Sequence, residues 1–315
     1  MRFPPELVTA EAIYAGNHNF IISLLDDLIM RRLKITHNTR YQYAEEVEFK
    51  THKLHIRPRE GHDIRIESSR LSITPNYNIR WERDIYGNSI ALVDFVDKSP
   101  ILEIVSDVVV QHYQEQPMTF DLDESAQHYP FRYNPLEQID LIPYQMAVFP
   151  QDFPILQKWL QEVCKPAKKT NTVELLATLN KAIASHFTYR VREEAGVQSP
   201  RQTIELGTGS CRDFAALFIE ACRVFGFAAR FVSGYFLPAA KGSAENLNTH
   251  AWAEVFLPGS GWRGFDSTNA TLAAGDHIAV AQHRHPEAVP PISGSFVGKP
   301  EPLPLMFVNV SVEIL

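Results

Sequence analysis

The sequence has no long apolar run, little cysteine and no excess of basic residues, and each shortage removes a class of protein. No stretch reaches the ~18–20 consecutive apolar residues that a membrane-spanning helix needs. The nearest, residues 20–30, is interrupted by Asp26 and Asp27 and lacks the basic flank of a signal peptide. Three cysteines, Cys164, Cys211 and Cys222, in 315 residues are too few and odd in number for a disulfide framework, so a reducing, cytoplasmic setting is expected. Lys and Arg number 30 against 37 Asp and Glu, a net charge of −7, without the basic face of a nucleic-acid binder. Neither nucleic acid nor a membrane is therefore expected as a partner. Gly207-Thr208-Gly209 lacks the further glycine, lysine and hydroxyl residue of a phosphate-binding loop. His283 and His285 flank Arg284 without a cysteine or carboxylate cluster at ligand spacing, so neither a metal nor a cofactor is expected.

What is present is ordinary globular material, 45% hydrophobic and 21% charged, with length for two domains. Residues 1–29 stand apart as an extension. From residue 30 to about 120 the pattern is all β: Leu33, Ile35, His37, Thr39, Tyr41 and Tyr43 recur at period two. Further strands are expected at 53–57, 64–73, 78–86, 89–95 and 102–113, with Gly87-Asn88 as a tight hairpin turn. Residues 121–153 mix prolines with Phe131, Tyr133 and Tyr144, an ordered connection. From residue 154 to 315 a second unit opens with helices, Pro154 in the first turn of 155–163 and Asn171 with Glu174 as the cap signal of 173–187.

The informative stretch runs from 207 to 268. Ser210-Cys211-Arg212-Asp213 has the [ST]-x-x-[DE] form of a helix cap, which makes Cys211 the first residue inside. Phe214, Leu217, Phe218, Ala221, Cys222 and Phe225 follow as one apolar stripe, and Gly226 is the stop. Strands are expected at 229–236, 250–257 and 262–266. A cysteine at a helix N-terminus faces unpaired N–H groups that favour a thiolate and accept a developing oxyanion. It still needs a base and a group that orients the base. His250 begins one strand and Asp266 ends the next. With Phe256 opposite Trp262, Asp266 lies diagonal to His250 on the same face, about 7–8 Å between Cα atoms; slipped by one residue, the two fall on opposite faces. Asp213 is expected in capping or an ion pair, Cys164 and Cys222 in the core, and Trp252 either as a shield for the histidine or as core.

Gly209-Ser210-Cys211-Arg212-Asp213-Phe214-Ala215, Ala229-Arg230-Phe231-Val232-Ser233-Gly234-Tyr235, His250-Ala251-Trp252-Ala253-Glu254-Val255 and Gly264-Phe265-Asp266-Ser267-Thr268 together resemble the bacterial transglutaminase-like family of the papain-like superfamily. Ile35-Thr36-His37-Asn38-Thr39-Arg40-Tyr41 and His55-Ile56-Arg57-Pro58-Arg59 resemble that family's β-rich N-terminal domain. The resemblance implies an α+β protein: an all-β domain, then a papain-like domain with the helix-borne cysteine packed on an antiparallel sheet. It implies Cys211 as nucleophile, His250 as base and Asp266 as orienting carboxylate, with a thioester formed from a peptide or protein amide. Water as acceptor makes a protease or amidase and a lysine amine makes a transglutaminase; a catalytically silent peptide-binding module is the third reading. Tyr189 and Gln202 are candidates for a second oxyanion donor. Ser267 departs from the family's usual proline, and 283–291 fits its downstream motif loosely.

Overall fold

A computed structural model describes residues 30–113, 120–167, 169–192, 194–237, 243–247, 249–299 and 301–315. The extension at 1–29 lies outside the described residues. The first half is built of β1 (Met30–Phe49), β2 (His52–Leu54), β3 (Ile64–Thr74), β4 (Tyr77–Arg83), β5 (Ser89–Phe95) and β6 (Ser99–Tyr113). In β1 the residues Leu33, Ile35, His37 and Thr39 are buried and those between them are half-exposed. β1 lies between β6 and the chain's last strand, Leu305–Ile314, and β6 continues to β3. The register of β1 on β6 shifts between Gln42 and Val47. Beyond that bulge its end pairs with Phe296–Val297 and reaches a second sheet made of Ile292–Ser293, β2, β5 and β4. Val47, Phe49, Leu54, Ile56, Ala91, Val93, Leu102 and Ile104 fill the space between.

Two expectations change here. Gly87-Asn88 is not a two-residue turn: Arg83 pairs with Ser89, and Asp84 organises the loop by accepting from the Tyr86 and Asn88 N–H groups and the Asn88 amide. Residues 154–315 do not stay together either. Ile292–Ser293, Phe296–Val297 and Leu305–Ile314 return to the sheets of the first half. Alternation marks a strand and its buried face but carries no address for a distant partner.

The helices are α1 (Pro135–Gln145), α2 (Phe153–Val163), α3 (Thr172–His186), α4 (Pro200–Leu206) and α5 (Cys211–Val224). Asn134 caps α1 and Asn171 caps α3 through their side-chain oxygens. Five of the strands that follow form one sheet, β7 (Ala229–Phe236), β8 (His250–Leu257), β9 (Gly261–Asp266), β10 (Thr271–Ala273) and β11 (His277–His283), in the antiparallel order β10-β9-β8-β7-β11. Ala251, Ala253, Val255 and Leu257 of β8 join Phe214, Leu217, Phe218 and Ala221 of α5 in one core, with Phe218 stacked on Phe265.

The expected stripe on α5 is buried, but burial runs around the helix to Ala215, Ala216, Ile219, Glu220 and Arg223, because helices cover the side away from the sheet. Glu220 and Arg223 form a buried ion pair one turn apart. Glu220 accepts the Val148 and Phe149 N–H groups, and Arg223 donates to the carbonyl oxygens of Tyr144, Ala229 and Arg284. The pair thus fastens the proline- and aromatic-rich connection to the end of α5. Gly226, at φ 85°, closes the helix: its N–H reaches Arg223 and that of Phe227 reaches Cys222, the Schellman arrangement.

Arg223→Met leaves the Glu220 carboxylate buried without its cation, and a loss of about 3–5 kcal/mol is expected. Replacing both residues by apolar ones removes the stranded charge but still leaves the Val148 and Phe149 N–H groups and three carbonyl oxygens without these partners, so it is expected to cost less than the single change without being neutral. Urea unfolding of the single and double variants checks this; equal losses would contradict it.

Candidate active site

Three elements place Cys211. Thr208–Gly209 pairs in parallel with Thr188–Tyr189, which fixes the chain entering α5 and lays Tyr189 beside it. Asp213, fully buried, then reaches back: Oδ2 accepts from the Ser210 N–H and hydroxyl, and Oδ1 from the Arg192 guanidinium and the Gln198 N–H. Its charge is spent on fastening the entry, as both cap and ion pair. Cys211 follows as the first helical residue, 7% exposed, and its N–H has no acceptor within the helix.

The partner residues come from β8 and β9. Phe256 lies opposite Trp262 and Ala253 opposite Phe265, the register that puts His250 and Asp266 on one face. The His250 Nε2–H donates to Asp266 Oδ2 at 2.8 Å, and the Cys211 thiol lies near enough to the same ring to raise its pKa. With Nε2 on the carboxylate, Nδ1 is the ring nitrogen left for the sulfur. Burial works against a charged His250, but hydrogen bonds to Asp266 and Cys211, and the charges of both, outweigh it and raise the imidazole to about 10.

Asp266 has no solvent exposure, and burial alone would push its carboxyl up. The donors from His250, His277 and Asn269 win and hold it well below the usual carboxylate range. Oδ2 accepts from His250, His277 (3.0 Å) and the Asn269 amide (2.7 Å), while Oδ1 accepts from the Thr268 and Asn269 N–H groups. The loop after Asp266 therefore wraps its own aspartate. Ser267 supports that loop where a proline has no donor: its hydroxyl donates to Asn180 on α3, and the Asn180 amide donates to the Thr271 carbonyl oxygen.

Trp252 is both core and neighbour of the site. It is buried, 6.3 Å from the His250 ring and 5.0 Å from that of His277. Gly234 makes room for it, since a Cβ there would stand 2.7 Å from the indole and 2.2 Å from the Ile278 carbonyl oxygen. Of the two further candidates, Tyr189 is half-exposed and close enough to feel the charge of Cys211. Gln202 is spent on the cap of α4, where its side-chain oxygen accepts the Ser199 N–H. Cys164 and Cys222 are buried free thiols. His283 and His285 form a local turn.

His277 was not foreseen. The signal for it was available: Ile278 and Val280 alternate behind the Gly275-Asp276 turn, and a histidine opens that strand as His250 opens β8. The two imidazole nitrogens and the Asp266 oxygen lie within 4.8 Å of one another, a set of atoms of the kind that ligates cations. Both nitrogens, however, sit at direct hydrogen-bond distance from Oδ2. A tetrahedral ion at about 2.0–2.2 Å from each atom would separate nitrogen and oxygen by roughly 3.3 Å.

Fold and site together define an α+β protein with a transglutaminase-like core. Residues 33–111 match the bacterial transglutaminase-like N-terminal region and residues 158–267 the transglutaminase-like superfamily, so the chain carries both parts in that order. Uncharacterized proteins of Mycobacterium tuberculosis and Mycobacterium bovis are 29% identical to it over 300 residues, covering 90% of this chain and 92% of theirs. One from Mycobacterium leprae is 23% identical over 290 residues, covering 86% and 95%. A crystal structure of a candidate cysteine protease from Cytophaga hutchinsonii superposes with a TM-score of 0.69 at 19% identity, covering 90% of both chains; it shares the fold. No helix among the described residues is long and apolar enough to cross a membrane.

Because His250 is raised from 6.5 to about 10, its contribution to stability is complete below pH 6.5 and lost as the pH climbs through 10. The stability gap between the wild type and His250→Gln, measured by urea unfolding at a series of pH values, is expected to narrow over that window. A gap that widens would contradict the assignment.

Proposed function

We propose that this protein is a cysteine hydrolase acting on peptide or isopeptide amides. The observation that carries the reading is the His250–Asp266 hydrogen bond, with Cys211 near enough to raise the same imidazole and its sulfur at a helix N-terminus. The Cys211 thiolate attacks the amide carbonyl carbon, and the oxyanion that develops is met by the Cys211 N–H. Tyr189, close enough to feel the charge of Cys211, is the candidate for a second donor. The imidazolium of His250 gives its proton to the leaving amine as the C–N bond breaks, which leaves a thioester on Cys211 and a neutral ring. His250 then takes a proton from water as the water attacks the thioester. A carboxylic acid departs and the thiolate–imidazolium pair is restored. Asp266 stays ionised throughout and holds the ring by Nε2. Free thiols at all three cysteines suit a reducing compartment.

The acceptor distinguishes this reading from acyl transfer. Casein and a γ-glutamyl-lysine isopeptide, incubated with wild type and Cys211→Ala in the presence of a fluorescent primary amine, separate the outcomes. Cleavage by the wild type that falls at least about a thousandfold in the variant is expected. Amine incorporation without cleavage would assign a transglutaminase instead, and inertness toward both would favour a binding module.

A further inference from the structure

β11 delivers to the site a second imidazole that the chemistry above does not use. His277 is 8% exposed, and its Nε2 lies 3.0 Å from the same carboxylate oxygen that receives His250. Its Nδ1 is shut off from solvent and has no hydrogen-bond partner. The ring is packed against Phe236 at 4.7 Å and Trp252 at 5.0 Å between centroids.

These facts specify its protonation state. A carboxylate oxygen only accepts, so the proton of His277 is on Nε2. A second proton on Nδ1 would be a buried donor with no acceptor, on a cation 5.8 Å from the His250 ring. The charged and titratable groups around it are Asp266, His250 and Asp276, and Asp276 is held by Arg31. Burial pushes His277 downward against its bond to Asp266, in keeping with a neutral ring. His250 differs because the nearby Cys211 adds to the pull of Asp266 toward the charged ring.

We propose that His277 is a positioning residue of this site: as a neutral Nε2–H imidazole it donates to Asp266 Oδ2 and so limits how tightly that oxygen holds the proton of His250. The inference rests on the reading of His250 as the group that releases a proton to the leaving amine. Oδ2 takes three donors and Oδ1 two, more than the roughly four lone-pair directions of a carboxylate. Every added donor lowers the basicity of the oxygen and weakens its grip on the others. Without His277, Asp266 stays in place, because Thr268 and Asn269 still wrap it, but it binds the His250 imidazolium more firmly.

The strand that bears His277 is itself held by the first half of the chain. The Arg59 N–H donates to the Ala279 carbonyl oxygen, and the Asn88 side chain both accepts from and donates to the backbone of Gln282. The β-rich region therefore helps to fix one of the groups around Asp266.

The test uses the full chain in a Cys211→Ala background, which removes the sulfur's share of the His250 shift. Nitrogen-15 NMR of labelled histidine gives the tautomer of His277 and the titration midpoint of His250. His277 is expected to read as neutral and Nε2-protonated. Adding His277→Leu is expected to raise the His250 midpoint by about one unit, a tenfold change in proton affinity. Adding His277→Gln, whose amide nitrogen reaches the same place, is expected to leave it unchanged. If the Leu protein does not fold, His277→Asn, too short to reach Oδ2, serves in its place. Equal midpoints in all the proteins, or a His277 that is cationic or protonated on Nδ1, would overturn the inference. Because no turnover is measured, this result stands apart from the fate of the hydrolase reading.

Discussion

The 2.8 Å hydrogen bond from His250 Nε2 to Asp266 Oδ2 is the interaction on which the site depends. It occupies Nε2, which leaves Nδ1 for Cys211, and it makes a charged imidazole tolerable in a buried place. The bond exists because two adjacent strands pair in one register. Had β9 slipped by a single residue, Asp266 would have crossed to the opposite face of the sheet. The buried side chains that line this hairpin, Ala253, Val255, Leu257 and Phe265, specify that register, so hydrophobic packing decides where a carboxylate stands. An unpaired carboxylate at that depth would be costly, and the loop after β9 answers with backbone and amide donors. Stability and geometry are thus supplied by the same few residues.

Around this bond the molecule is organised as supports. α5 presents the sulfur, and its own approach is fastened by Asp213, whose charge is consumed by Ser210, Arg192 and Gln198. At its far end, the buried Glu220–Arg223 pair ties down the connection from the first half. The β-rich region is joined to the core twice over. Leu33, Ile35, Val108 and Val110 enter the same hydrophobic cluster as α5, and Arg59 and Asn88 grip the edge strand β11. Division of the chain into a β half and a core half describes its order in sequence better than its packing.

Much of this was legible in the sequence because local physics is written locally. Alternation marked β1; Asn171 announced α3; Gly226 ended α5; and pairing Phe256 with Trp262 was one of two registers the sequence left open, the one that puts Asp266 beside His250. What escaped depended on distant parts of the chain. Glu220 and Arg223 lie off the apolar stripe, and their burial depends on the connection bonded to them. Leu305–Ile314 alternates like any strand and does not name β1 as its partner. Gly87-Asn88 has the letters of a two-residue turn, yet Asp84 captures the loop first. His277 follows the motif residues in sequence, and its approach to Asp266 depends on the placement of β11 beside β7, which no spacing encodes.

The central claim is that Asp266 makes His250, and through it Cys211, competent for acyl chemistry. Intact-mass spectrometry after rapid mixing with an activated acyl ester reads that competence directly. The account predicts a single acyl group on Cys211 of the wild type, formed much more slowly when Asp266→Asn removes the charge but keeps the shape. Acylation of Cys211 at the same rate in both proteins would contradict it.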